Sequence, residues 1–399
     1  MALMTLPGQN PNQSRLALFN LGFRPFFLGA AVYAIISIFI WLGFYGLGWS
    51  IPTPAINPIA WHAHEMIFGY SLAVIAGFLL TAVKNWTKIQ TIHGVKLALL
   101  FSCWLIPRIA ILFEQGLLIA AVMDILFILL LIPCVLVPII KVKQWKQLGI
   151  MAKLLLMGLA NILFYLGAFG ILESGIRWGN YTGLYLIIGL ILTMGRRVIP
   201  FFIERGVGYP VTLKNYLWLD ISSLVIFLLF FIATVFTHYT IIAAWLAALL
   251  FVIHLVRIAG WYTKGIWRKP LLWSLYLAYD FIIIGFLLFA LSGYHYVPVF
   301  LAIHSMAFGG IGLVTLSMMS RVSLGHTGRN VQQPPKLVGL ACMILIMGGV
   351  IRVLLPILDM SHYVNWIVIS QLCWIAAFVF FLIIYTPILI KPRVDHQFG

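Results

Sequence analysis

Long apolar segments follow one another along almost the entire 399-residue sequence, and they constrain the fold more than any other feature. Roughly 20 apolar residues in a helix cross the hydrocarbon of a bilayer, where backbone polar groups must be satisfied internally. Bounded by Gly, Pro, Asn or charged residues, the segments predict an all-α, polytopic integral membrane protein of about twelve transmembrane helices. We place the spans at residues 26–47, 60–83, 95–113, 116–140, 151–173, 181–203, 216–236, 240–261, 272–292, 297–319, 337–357 and 363–390.

The composition agrees with a membrane protein and excludes an ordinary soluble domain. Hydrophobic residues make up 63% of the sequence and charged residues only 9%, whereas soluble domains carry about a quarter charged residues. The formal net charge of +16 comes from 25 Lys and Arg against 9 Asp and Glu. We interpret this excess as a topology signal and expect no nucleic-acid partner.

The distribution of basic residues predicts the sidedness of the spans. Of the 25 Lys and Arg residues, 22 fall at the termini, in alternate loops or at the span ends beside them. The three exceptions are Arg108, Arg177 and Arg352. The positive-inside rule then predicts a multi-pass protein of the bacterial inner membrane with both termini in the cytoplasm. The same basic face would attract anionic membrane lipid.

We expect one transmembrane domain over residues 1–399, with a polar N-terminal segment at 1–14 and a cytoplasmic tail at 391–399. No basic region precedes an apolar run at the N-terminus, so the sequence predicts no cleavable signal peptide. The four cysteines lie in apolar runs without a C-x-x-C pair, which makes disulfides, zinc knuckles and iron–sulfur clusters unexpected.

Histidines inside the spans are the main candidates for chemistry, because an ionisable group in hydrocarbon needs a partner or a function. His62 and His64 open span two, and His304 opens span ten. Both are even-numbered spans, so the three histidines should lie at a similar depth in the outer half. His326 follows His304 by 22 residues, about 33 Å along a helix, and belongs at the inner face. His254 lies closer to the inner side of span eight.

The spacing of His62 and His64 limits how they can act together. Residues i and i+2 point roughly 200° apart on a helix, so they would not bind one ion jointly. Either His62 precedes the first helical turn, where Pro58 keeps the chain non-helical, or the two histidines serve different centres. The second alternative is slightly favoured.

A shift of 240 residues aligns span two with span ten without gaps. His64–Gly69 and His304–Gly309 share the pattern H-x-M-x-F-G, and Val74, Thr87 and Lys96 meet identical residues. Two repeated helices would carry histidines at the same height and aim them at one central site. A weaker echo in span six, where TMGRRVIP resembles MMSRVSL, allows a threefold repeat of four helices.

Two facing imidazoles suit haem iron or copper, and no oxygen-rich cage for calcium or magnesium is present. Met66 and Met306 could assist copper, although methionine in a span is usually packing. Arg196, Arg197 and Arg321 are either inner-face anchors or ligands for anionic groups. Arg108 and Arg352 either pair with Glu65 or Asp124 or hold haem propionates on the outer side.

Five sequence segments together make this chain similar to the NnrS family. They are FRPFFL at 23–28, WHAHEMIFGY at 61–70, AGFLLTAVKNWT at 76–87, GRRVIPFF at 195–202 and SRVSLGHTGR at 320–329.

The resemblance implies an inner-membrane protein that contains haem b and copper and protects the cell against nitric oxide and nitrosative stress. It carries metal-ligand roles over to His62, His64, His304 and His326, without saying which metal each would bind. Further cofactor-binding candidates are Glu65, Met66, Met306, Arg108, Arg197, Arg321 and His254.

Two functional hypotheses follow. In the first, the protein acts on nitric oxide or iron–nitrosyl species, with an unidentified electron donor. It would be either a nitric oxide-consuming haem-copper oxidoreductase or, if two histidines occupy both axial positions, an electron relay. In the second, it is a secondary transporter of a metal, haem or small nitrosyl species. A sensor or assembly factor is less favoured, because no soluble signalling domain or long loop is present.

Overall fold

The computed structural model describes residues 16–50, 56–237 and 240–399, and these form a helical bundle without β-strands. The predicted polar segment at 1–14 lies outside the described residues. The twelve long helices are α1 Phe23–Leu47, α2 Pro58–Thr87, α3 Val95–Ala110, α4 Leu117–Lys141, α5 Leu148–Ala168, α6 Gly175–Gly206, α7 Leu217–Phe236, α8 Thr240–Gly260, α9 Pro270–Ser292, α10 Val299–Gly325, α11 Lys336–Val353 and α12 Tyr363–Ile390.

Each predicted span corresponds to one of these helices, which confirms the polytopic all-α fold. Within the described residues, eleven helices are long and apolar enough to cross a membrane. The twelfth, α3, has 16 residues and is about 24 Å long. It is short because its chain turns at Ile111 and enters α4 after only a few residues.

Two helices occupy the centre of the bundle. In the most apolar 18-residue stretch of each helix, 78% of the residues are buried in α2 and 67% in α10. The corresponding stretch of α4 is more hydrophobic, yet only 39% of it is buried. A helix that is apolar all round yet exposed faces lipid, so α4 belongs to the periphery. The central helices contact one another and α6, and Tyr70 of α2 shares a 2.5 Å hydrogen bond with Thr315 of α10.

Both central helices contain a π-helical segment immediately after a histidine. The first runs over Glu65–Ser71 and the second over Ser305–Gly312. Under the 240-residue shift these segments coincide with the repeated H-x-M-x-F-G pattern. At the C-terminal ends of α2 and α10, Thr87 and Thr327 each donate from Oγ1 to the carbonyl four residues earlier. The structure therefore repeats local features at the positions where the sequence repeats.

Arg24 fastens the C-terminal end of the chain to the first helix. Its guanidinium is fully buried and donates to the carbonyls of Leu389 and Lys391 at 2.7 and 2.8 Å. It also donates to the carbonyl of Gly399 at 2.7 Å. The last carbonyls of a helix lack intrahelical donors, and here a cation supplies them. The predicted tail at 391–399 is thus folded back on the bundle.

We expect Arg24→Gln to destabilise the protein. Hydrogen bonds to charged groups contribute about 1.5–3 kcal/mol each, so losing several should cost on the order of 3 kcal/mol. Thermal unfolding in detergent would measure this. The matched control is Arg177→Gln, because Arg177 is exposed and makes one 3.2 Å bond to the Thr234 carbonyl. Equal melting temperatures for the two variants would contradict the role of Arg24.

Candidate functional site

His62 lies inside the first turns of α2, and its ring is held by stacking. The helix begins at Pro58, and the Asn57 side chain caps it by accepting from the Ala60 backbone at 2.8 Å. The alternative that Pro58 keeps His62 outside the helix is therefore wrong, since proline is well suited to a first helical position. The imidazole stacks on Trp41 with 4.5 Å between centroids and 3° between planes. Its buried Nδ1 has no hydrogen-bond partner among the described residues.

His304 has one ring nitrogen fixed by the backbone. Nδ1 donates to the carbonyl of Phe300 at 2.8 Å, which leaves the lone pair on Nε2. Arg352 Nη2 donates to that Nε2 at 3.2 Å, so the lone pair already accepts a hydrogen bond. A backbone carbonyl that holds the N–H of an imidazole is typical of metal-ligating histidines, because it fixes the tautomer and the ring orientation.

His62, His304 and Arg352 form what we call the histidine site. The three charges or dipoles lie within electrostatic range of one another, although they come from α2, α10 and α11. Arg352 has no carboxylate partner in the described part of the chain, and its Nη1 is buried without a hydrogen bond there. Its guanidinium lies 5.4 Å from the Tyr363 ring centroid. His62 and His304, from spans two and ten, thus lie at the same end of the bundle near Arg352, and their sharing of one metal stays a prediction.

Beside this site His64, Glu65, Arg108 and Asp124 form a buried charge network. All four are at most 2% exposed. Arg108 Nη1 donates to Glu65 Oε2 at 2.8 Å, and its Nη2 donates to Asp124. His64 Nδ1 lies 2.8 Å from Glu65 Oε1. Such groups are tolerated away from water only when paired, so Arg108 takes the carboxylate partners that were one of its two predicted roles.

Neutral side chains from two further helices complete the charge network. Tyr33 of α1 donates to Glu65, and Tyr165 of α5 donates to Asp124 Oδ2 at 2.7 Å. Asn161 Oδ1, from α5, lies 2.9 Å from His64 Nε2. The network therefore links five helices, α1 to α5.

The charge network occupies both ring nitrogens of His64. Nδ1 contacts Glu65 Oε1, and Nε2 contacts the side-chain amide of Asn161. A metal ligand needs a free lone pair on neutral imidazole. The geometry thus separates His64 from His62, in agreement with the alternative that the two histidines serve different centres.

Met66 and Met306, proposed as helpers for copper, have packing contacts. The Met66 sulfur lies 3.6 Å from Ser37 Oγ. Met306 is 1% exposed and lies against Gly285, where an added Cβ would come within 2.3 Å of its Cγ. Among the described residues, no three His, Cys, Asp or Glu side chains converge as a metal-binding set.

His326 lies at the opposite end of α10, which we call the basic end together with Lys84, Arg329 and Arg393. Its Nε2 is 3.3 Å from Asn85 Nδ2, and its carbonyl accepts from Arg393 at 2.9 Å. Burial, with help from the charges of Arg393 and Lys84, lowers the pKa of His326 to about 4. The structure does not bring this histidine to the histidine site.

The remaining candidates also lie apart from the histidine site. Arg321 is 3.7 Å from the Phe202 ring centroid, a cation–π contact, and Arg197 is exposed. His254 Nδ1 accepts from the hydroxyl of Tyr279 at 2.7 Å, and its Nε2 is buried without a partner in the described chain. Arg257 and Arg196, from different helices, share the carboxylate of Asp220.

Several residues of the site were missed from the sequence. Trp41, Tyr33, Asn161 and Tyr165 stand in apolar runs without a distinguishing pattern, and only the packing of α1 and α5 brings them to α2. The π-helices were also missed. The repeated H-x-M-x-F-G pattern marks both of their positions. A repeated motif next to candidate functional residues could have indicated them, since π-helical turns are frequent at functional sites.

One comparison with known proteins places the chain in a family. A family model described as NnrS protein matches residues 17–393, nearly the whole sequence. No curated protein matches the chain.

We expect Asp124→Asn to destabilise the bundle strongly. It removes one of the two carboxylates that neutralise Arg108, and breaking a buried pair costs about 3–5 kcal/mol. The fall in melting temperature in detergent would report it.

The matched control is Asp359→Asn. The Asp359 side chain is 41% exposed and pairs with His362 at 2.6 Å, so its loss should cost less than about 1 kcal/mol. If the charge network did not stabilise the bundle, both variants would show the same small fall in melting temperature.

Proposed function

Because the chain belongs to the NnrS family, we propose that it is a haem-binding membrane protein of the response to nitric oxide, with His62 and His304 as the iron ligands. Family membership supports the link to nitric oxide. The observation that supports the ligand assignment is the placement of two imidazoles from different helices at the same end of the bundle, both within electrostatic range of Arg352.

The donor set fits a haem iron. His62 has a buried Nδ1 without a partner in the described residues, which costs free energy unless a ligand occupies it. His304 has its N–H on a carbonyl and its lone pair on Nε2, where Arg352 now donates and would move aside for an iron. Imidazole is a common axial ligand of haem iron. Two well-oriented imidazoles are therefore a chemically sufficient protein contribution.

Copper fits the same residues less completely. A porphyrin brings four nitrogens of its own, so haem needs only one or two protein donors. A bare copper ion takes three or more, such as the His₂Cys sites of blue-copper proteins. The described residues bring together two imidazoles at this end but no third His, Cys, Asp or Glu. We propose copper as a second cofactor only with a donor beyond these two histidines, and Met66 remains the nearest soft candidate along α2.

Arg352 would hold an anionic group of the bound cofactor. Its Nη1 donor is free in the described structure, and guanidinium binds carboxylates through charge-assisted hydrogen bonds. Arg108, by contrast, is committed to Glu65 and Asp124. This difference assigns the propionate role, which both arginines could have taken, to Arg352.

A bound ferrous haem would supply nitric oxide binding and one-electron chemistry. The protein contributes a partly enclosed setting, because His62 and His304 are half-buried and Trp41 covers one face of the His62 ring. Of the two residues that would hold the iron, His62 is positioned by stacking on Trp41, whereas His304 is positioned by its hydrogen bond to the Phe300 carbonyl.

For the membrane location we propose a bacterial inner membrane with both termini in the cytoplasm. The basic end carries Lys84, Arg329, Lys336 and Arg393, which the positive-inside rule assigns to the cytoplasmic side. The histidine site then opens toward the periplasm.

An optical spectrum of the detergent-purified protein tests the proposal. We expect a Soret band in the wild type that is lost or shifted in both His62→Ala and His304→Ala, because each removes an axial ligand. His254→Ala and His326→Ala are the matched controls and should keep the wild-type spectrum. Metal analysis of the same samples measures copper.

Two results would refute the assignment. A colourless wild-type protein that drives substrate-stimulated flux in vesicles would favour the transporter hypothesis. A Soret band that survives both substitutions but disappears in His326→Ala would move the haem to the basic end.

A further inference from the structure

An apolar cavity of about 100 Å³ lies between the two central helices and α6, and it is partly open, since Leu190, Met194 and Val314 in its lining are half-buried. Its lining comes mainly from α2, α6 and α10, with single residues from α1 and α9. It begins at Ser71, about 10 Å further along α2 than His64. The cavity is therefore separate from the histidine site and from the buried charge network.

Residues at corresponding positions of α2, α6 and α10 line the cavity. Val74, Leu190 and Val314 all line the cavity, and so do Phe78, Met194 and Met318 one turn later. Within each set the members are 116 and then 124 positions apart. The second shift also aligns Arg197 with Arg321, the echo noticed in the sequence. Three equivalent helices thus present equivalent faces to one void, which supports a threefold repeat of four helices.

The cavity has no free polar group to hold water. Its two hydroxyls are engaged: Ser71 donates to the Met66 carbonyl at 2.7 Å, and Thr315 bonds to Tyr70 and to carbonyls of its own helix. A buried water needs two to four polar partners, and apolar cavities of similar size stay dry.

The size of the cavity limits its occupant. An engineered apolar cavity of about 150 Å³ binds benzene or xenon. At about 100 Å³ this one accepts a molecule of one to a few heavy atoms and is too small for a cofactor. Small apolar gases concentrate in the hydrocarbon that surrounds the bundle, because their transfer from water is favourable.

We propose that this threefold cavity is a binding site for one small apolar gas molecule. It would hold the gas within the central helices, close to the π-helical segments that follow His64 and His304. Resting on the proposed function, the gas in the cell would be nitric oxide on its way to the histidine site. Gas binding itself depends only on the cavity.

Xenon tests the cavity directly. Crystals of the full-length protein pressurised with xenon should show one anomalous peak among Val74, Leu190 and Val314. Val314→Phe should remove the peak, because the added ring fills the void. Val225→Phe, at a 53% exposed position on α7, is the matched control and should keep it. Leu190→Phe tests the same filling from another helix if Val314→Phe does not fold.

Three outcomes would overturn the proposal: no xenon in the wild type, equal xenon in the cavity-filling variants, or a lipid acyl chain in the void.

A second measurement connects the cavity to the histidine site. If a haem is present, the fraction of nitric oxide that rebinds within the protein after flash photolysis should change at least twofold in Val314→Phe, with the Soret band unchanged. An unchanged fraction would overturn the nitric oxide role while leaving xenon binding intact. A protein without a Soret band would refute the proposed function alone, because the xenon result does not require haem.

Discussion

The neutralisation of Arg108 is the interaction on which the central architecture depends. A guanidinium has no water to bind inside a bilayer, so its position requires partners from other helices. Glu65 and Asp124 provide the charge. Tyr165 donates to the second oxygen of Asp124, and Tyr33 donates to the Glu65 oxygen that Arg108 also contacts. Because these groups come from five helices, the helices must approach one another in one arrangement. Apolar packing between lipid-like side chains would not select that arrangement so strictly.

One residue makes the repeated histidines differ. His64 is followed by Glu65, which draws its ring into the buried charge network, whereas His304 is followed by Ser305, which donates to the Phe281 carbonyl. The Nε2 lone pair of His304 consequently accepts a hydrogen bond from Arg352. In α6 the equivalent position, 116 residues after His64, is Asn180, which donates to the Ala60 carbonyl. The corresponding residues His64, Asn180 and His304 therefore make three different kinds of contact.

The histidine site and the threefold cavity divide the interior by chemistry. At one end polar donors from α2, α10 and α11 meet, and that region suits a charged or metal-containing group. Further along the same helices, the lining is apolar and its hydroxyls are internally bonded. The π-helical segments lie between these two regions and change the direction in which α2 and α10 present their side chains. This arrangement connects a small-molecule space to a site for chemistry through the two helices that line both.

The sequence by itself determined the bilayer setting, the number of helices and the pairing of span two with span ten, because apolar length and repeated residues are local properties. It also predicted histidines from these spans at one level. Only the tertiary structure decided that His62 lies on the side of Arg352 and His304 while His64 joins Glu65, since that choice depends on helix phase and on the positions of Asn161 and Arg108. The cavity was equally hidden, because its lining residues are ordinary apolar ones until three helices bring them together.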